Sequence, residues 1–124
     1  MWEIYPEGIY DSLKQVWSYQ PTCELMVTEN GVPVPDGVDF DERVRDERRI
    51  RFLQNHIAQV HRAIEDGIPV KGYFHWSLMD NFEWNLGYGQ RFGLVYVDWK
   101  TQKRIVQDSG RWFAKVIQAN GLKE

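Results

Sequence analysis

The sequence predicts an α/β fold: two parallel βα units, with a β-hairpin before the final helix. Three observations carry this. Glu24–Thr28 and Val70–Ser77 are short, mostly apolar runs of strand length. Three other segments repeat apolar residues at helical spacing. Strands that alternate with helices are the pattern of a parallel sheet with crossover helices.

Pro6-Glu7 opens the first helix, since Pro is tolerated in a first turn and a carboxylate there suits the helix dipole. Ile9, Leu13 and Val16 give it one apolar face, and it should end near Tyr19, before Pro21. The strand Glu24–Thr28 runs into Glu29-Asn30-Gly31, a turn signal. Gly31 to Asp39, with two Pro and no helical stripe, reads as a surface loop. Asp41 to Asp66 reads as one long amphipathic helix, with Ile50, Leu53, Ile57, Val60 and Ile64 inward and a charged outer face; Gly67 stops it. Val70–Ser77 is the second strand, rich in aromatics, and Leu78 to Phe92 a long loop. Gly93–Asp98 and Thr101–Val106, flanking Trp99-Lys100, read as a hairpin. Asp108 or Ser109 should cap a last helix with Trp112, Phe113, Val116 and Ile117 on its apolar face, ended by Gly121.

The 124 residues suffice for one core or for part of a larger one. A 43% hydrophobic content excludes disorder as the default, and a net charge of -3 argues against a nucleic-acid partner. The run from Arg43 to Arg51 alternates with acids and reads as a solvated helix face. The single cysteine, Cys23, excludes an intrachain disulfide; it reads as a small buried or half-buried filler and fits a reducing compartment. No apolar stretch approaches membrane-spanning length, and residues 1–6 lack a signal-peptide pattern, so no membrane partner is expected and the location reads as cytoplasmic. His56 and His61 are five apart, the wrong spacing for a shared metal face, and read as solvated or interfacial. His75 sits within a strand and faces either the sheet interior or the helices. No metal and no cofactor are expected. Two parallel strands leave both sheet edges exposed, which hints at a part of something larger.

Three segments carry a resemblance: Trp2-Glu3-Ile4-Tyr5-Pro6-Glu7-Gly8, Val27-Thr28-Glu29-Asn30-Gly31, and Trp76-Ser77-Leu78-Met79-Asp80-Asn81-Phe82-Glu83-Trp84. The last is followed by Gly87-Tyr88 and Arg91-Phe92-Gly93-Leu94-Val95-Tyr96-Val97-Asp98. In spacing and order they resemble family 1 glycoside hydrolases, the β-glucosidase family of (β/α)8 TIM barrels. The resemblance implies a partial barrel over residues 1–124, a single-domain C-terminal piece holding the last two βα units. Glu24–Thr28 would be strand seven and Val70–Trp76 strand eight. Chemistry in such barrels sits at the carboxyl ends of the strands.

Retaining glycosidases use two carboxyl groups about 5–5.5 Å apart, one a nucleophile and the other an acid/base. The resemblance assigns the nucleophile to Glu29. It makes Glu83 the acceptor for the O4 and O6 hydroxyls of the sugar, which argues against a 6-phosphorylated substrate. It makes Trp84 an indole donor to O3 and Trp76 a stacking platform, and it puts Phe92 at the pocket edge. It also implies a cis peptide between Trp76 and Ser77. Without the resemblance, a Glu beside a turn is a solvated carboxylate and a Trp is core; Trp2, Trp17, Trp99 and Trp112 are assigned to packing.

The family's acid/base lies in an Asn-Glu-Pro segment, and none occurs here. Met1 stands where the family usually has a small residue, which reads as a start placed just ahead of the first helix. The expectation is a segment with nucleophile and sugar-binding residues, inactive alone, that takes β-glucosides or related β-glycosides with a complementary N-terminal barrel part. Self-association into a barrel-like assembly and a sugar-binding remnant are the alternatives. Glucose, galactose and fucose, and O- and S-glycosides, stay open.

Overall fold

The computed structural model describes residues 3–122; the readings placed on Met1 and Trp2 lie outside them. Helix α1 spans Glu7–Tyr19, strand β1 Leu25–Asn30, helix α2 Glu47–Glu65 and strand β2 Val70–His75. A 3-10 turn covers Trp84–Leu86, then strands β3 (Val95–Val97) and β4 (Arg104–Val106) precede helix α3 (Asp108–Ala119). β1 and β2 pair in parallel, Met26 opposite Gly72 and Asn30 opposite His75. β3 and β4 form the antiparallel hairpin, Tyr96 opposite Ile105.

The helices cover one face of the β1–β2 sheet. Tyr10 and Leu13 of α1 and Val60 and Ala63 of α2 close over Val70, with Leu25 and Val27 packed against them. A second cluster joins Phe52 and Leu53 to Val32, Val34 and Leu94, flanked by Trp112 and Phe113 of α3. The opposite sheet face is open: Met26 is 52% and Phe74 56% exposed. Residues two apart on a strand share a face, so Gly72, Phe74 and Trp76 point the same way.

Several expectations are corrected. α2 begins at Glu47, not at Asp41. The Asp46 carboxylate there is committed elsewhere, and Glu42 sits at φ 59 in the turn before it. The buried face of α2 is Arg49, Phe52, Leu53, His56, Val60 and Ala63, while Ile64 is 48% exposed. Arg49 is thus part of the interior, not of a solvated basic face. Val16 of α1 and Ile117 of α3 are exposed, and so is Cys23. Neither Asp108 nor Ser109 caps α3; Gln107 holds the cap position without a side-chain capping bond, its side-chain amide donating to the Gly93 carbonyl, and the Asp46 carboxylate accepts from the Ser109 amide at 2.8 Å instead. The left-handed residue that ends α3 is Asn120. Gly67, at φ 87, follows α2 as expected.

Candidate active site

β1 delivers Glu29 to its carboxyl end, and Trp76 follows directly on the last residue of β2. The two strand ends meet closely. The Trp76 amide donates to the Asn30 carbonyl (3.0 Å), and the Tyr73 hydroxyl to Asn30 Oδ1 (2.7 Å). Gly31 is required there: a Cβ on it would lie 1.9 Å from the Trp76 carbonyl oxygen. The peptide bond between Trp76 and Ser77 is cis. An open cleft of about 560 Å³ results, lined by Glu29, Asn30, Gly31, Trp76, Glu83, Trp84 and Phe92.

The loop after β2 brings Glu83 and Trp84 back over this cleft, and Asp80 organises it. The Asp80 side chain is fully buried and accepts from the amides of Gly93 (3.0 Å) and Val97 (3.2 Å) and from the Arg91 guanidinium. Arg91 also donates to the Val97 carbonyl at 3.0 Å and lies 3.9 Å above the Tyr96 ring. Asn81 Nδ2 and Ser77 Oγ close the near side, 2.8 Å apart. At the tip, the Glu83 amide donates to the Gly87 carbonyl at 2.8 Å, and Trp84 adopts φ 42. That turn leaves the Trp84 indole 80% exposed.

Behind the cleft lies His75. One ring nitrogen, Nε2, is 3.0 Å from the Phe92 carbonyl; the other, Nδ1, is buried without a hydrogen-bond partner. Burial pulls its pKa down to about 4, so the imidazole is neutral near pH 7 and Nε2–H donates to Phe92. Burial also raises the Tyr73 hydroxyl above its ordinary value, which keeps it a donor to Asn30.

All five site residues expected from the sequence, Glu29, Trp76, Glu83, Trp84 and Phe92, line this single cleft. Their positions differ in kind: Trp76 is 38% exposed, whereas Phe92 is 3% exposed and contributes to a wall. Sequence reasoning missed the residues that hold them. Asp80 and Arg91 sit inside the quoted motifs, but a carboxylate in a loop, followed by Asn81, carries no pattern that marks it as buried. Trp99 lies 5.0 Å from the Arg91 guanidinium and 4.8 Å from the Tyr88 ring, a packing role on the outer side of the loop. Among the described residues no cluster of His, Cys, Asp and Glu could hold a metal ion.

The chain belongs to glycosyl hydrolase family 1, whose model matches residues 1–122. Among its relatives, β-glucosidase A of Thermotoga maritima is 54% identical over 99% of this chain. The 1,4-β-D-glucan glucohydrolase of Thermotoga neapolitana is 55% identical over the same share. The structure superposes on a family 1 β-glucosidase from Thermotoga maritima in complex with isofagomine lactam with a TM-score of 0.96, at 55% identity over 98% of this chain. The chain spans 28% of the length of each of these proteins.

Proposed function

We propose that this chain carries the nucleophile and sugar-binding side of a retaining β-glucosidase site, as strands seven and eight of a (β/α)8 barrel. The carrying observation is the cleft at the two strand ends, which gathers Glu29, Glu83, Trp76 and Trp84. In this reading the Glu29 carboxylate attacks the anomeric carbon and displaces the aglycone oxygen, forming a covalent glycosyl-enzyme that water then cleaves. The Glu83 carboxylate accepts from O4 and O6; such charge-assisted bonds are stronger than neutral ones. The Trp84 indole N–H donates to O3, and Trp76 offers its flat face to the ring. Phe92 closes the edge. A 6-phosphate on the sugar would be repelled by Glu83.

Protonation of the leaving oxygen needs a second carboxyl group, and the Asn-Glu-Pro segment that supplies it in the family is absent from these 124 residues. A positioned acid contributes about 10²–10⁴-fold, so the chain alone is expected to show little or no turnover on natural glucosides. Cellobiose hydrolysis by purified chain, lost in Glu29→Ala, would overturn that.

The nucleophile assignment is tested with 2,4-dinitrophenyl 2-deoxy-2-fluoro-β-glucoside, whose leaving group needs no proton. Intact mass and peptide mapping should show one adduct, on Glu29, absent from Glu29→Gln. An adduct at another residue would reject the assignment.

One observation favours a second reading. Among the described residues the β1–β2 sheet has two strands, and its uncovered face exposes Met26 and Phe74. Such a sheet calls for more strands, from a complementary N-terminal barrel part or from further copies of this chain. No helix among the described residues is long and apolar enough to cross a membrane. The exposed lone thiol of Cys23 supports a cytoplasmic setting.

A further inference from the structure

Two fully buried charges lie outside the cleft. Asp46 and Arg49, at the start of α2, are both at 0% exposure. Their ion pair spans 2.9 Å, from Arg49 Nε to Asp46 Oδ2. Desolvation pulls the Arg49 pKa below its ordinary value, and the Asp46 carboxylate opposes that. A buried pair of this kind is weak evidence for stability, because the desolvation cost can exceed the mutual attraction. Its other contacts give it a different use.

Arg49 has two guanidinium nitrogens left over, and each reaches one of the two segments that build the cleft. Nη1 donates to the Val32 carbonyl at 2.8 Å, three residues beyond Glu29. Nη2 donates to the Arg91 carbonyl at 3.0 Å, next to Phe92. The Arg91 carbonyl also accepts from the Val34 amide at 3.1 Å, so the two segments meet at that oxygen. Behind Arg49, Asp46 holds the Ser109 amide at 2.8 Å and its hydroxyl, which fixes the pair against α3. A planar guanidinium supplies three donor directions at once; an ammonium is a point charge on a flexible stem.

We infer that Arg49 is a positioning residue for the cleft: it sets the distance between the Glu29 segment and the Phe92 segment by bonding a backbone carbonyl in each. This rests on the reading of Glu29 as nucleophile only for its effect on chemistry; the bonding itself does not depend on it. Misplacement by about 1 Å, caused far from the reacting atoms, can cost about 10²-fold in rate.

The experiment compares the wild-type chain with Arg49→Lys, Arg49→Met and Ser109→Ala. Two readouts are taken: backbone hydrogen exchange by mass spectrometry, and the Glu29 labelling rate with the dinitrophenyl fluoroglucoside. Arg49→Lys keeps the charge opposite Asp46 but cannot hold both carbonyls. It should raise exchange in residues 30–34 and 91–94 together, leave the Tyr10–Val60–Val70 core protected, and slow labelling by about 10²-fold. Ser109→Ala removes a contact to Asp46 and leaves both carbonyl bonds in place; it should lower the melting temperature and keep wild-type exchange in those two segments. Arg49→Met guards against a lysine that finds a new partner, and should repeat the local pattern more strongly. Wild-type exchange in both segments of Arg49→Lys, or an equal rise everywhere, would overturn the inference and leave Arg49 a plain core residue. If the wild-type chain takes no label, the cleft does not take up the probe without the rest of the barrel, and the exchange pattern alone decides on Arg49.

Discussion

At Gly31 the limit is set by a single backbone oxygen. A methyl group there would sit 1.9 Å from the Trp76 carbonyl, and 2.9 Å from the carbonyl carbon. Backbone cannot step aside as a flexible side chain can, so Gly31→Ala belongs at the upper end of overpacking costs, about 3 kcal/mol. Urea denaturation should show it, with loss of Glu29 labelling. The His75 side chain makes a pH prediction. Its imidazole titrates near 4 when folded and near 6.5 when unfolded, so the unfolded chain binds the extra proton between these values. Stability should be full above about pH 6.5, fall as pH drops through that window, and be lower by roughly 3 kcal/mol near pH 4. Burial lowers His56 as well, adding to the same slope. Denaturation midpoints at pH 7.5, 5.5 and 4.5 should converge in His75→Gln relative to wild type; an unchanged slope would remove His75 as its source.

At the scale of elements, the helices and strands were legible because each repeats its own period, and both parallel strands fall where the apolar runs are. The start of α2 was not, because Asp41 to Asp46 have no period to break. The acids there are held in side-chain bonds: Asp41 pairs with Arg45 within the same stretch, and Asp46 with Arg49 of α2 and Ser109 of α3. Arg49 was legible in hindsight. It stands three and four residues before Phe52 and Leu53, on the face that continues through His56, Val60 and Ala63. Its charge masked its phase. The cleft residues were read through motifs; nothing in Glu29 or Glu83 alone separates them from solvated loop acids. The α2 hub yields a sharp expectation. Asp46→Ala leaves the Arg49 charge buried and unpaired, and should cost about 3–5 kcal/mol in equilibrium unfolding.

For the whole molecule, the decisive feature is a two-stranded parallel sheet with an uncovered face. A chain that spans 28% of its relatives' length keeps their local geometry at a TM-score of 0.96. The open edges make a prediction about mass: sedimentation of the purified chain should show concentration-dependent association, suppressed by Met26→Lys or Phe74→Lys on the uncovered face. A strict monomer at high concentration would reject self-association as the way those strands are satisfied. Asp80 has a further consequence, one of tolerance to change. With the root of the β2 loop clamped by one carboxylate to Gly93, Val97 and Arg91, the tip from Phe82 to Gly89 hangs from a fixed frame. Substitutions in such a tip should therefore be tolerated better than at Asp80, in a laboratory library or in a lineage, because the frame beneath keeps its shape.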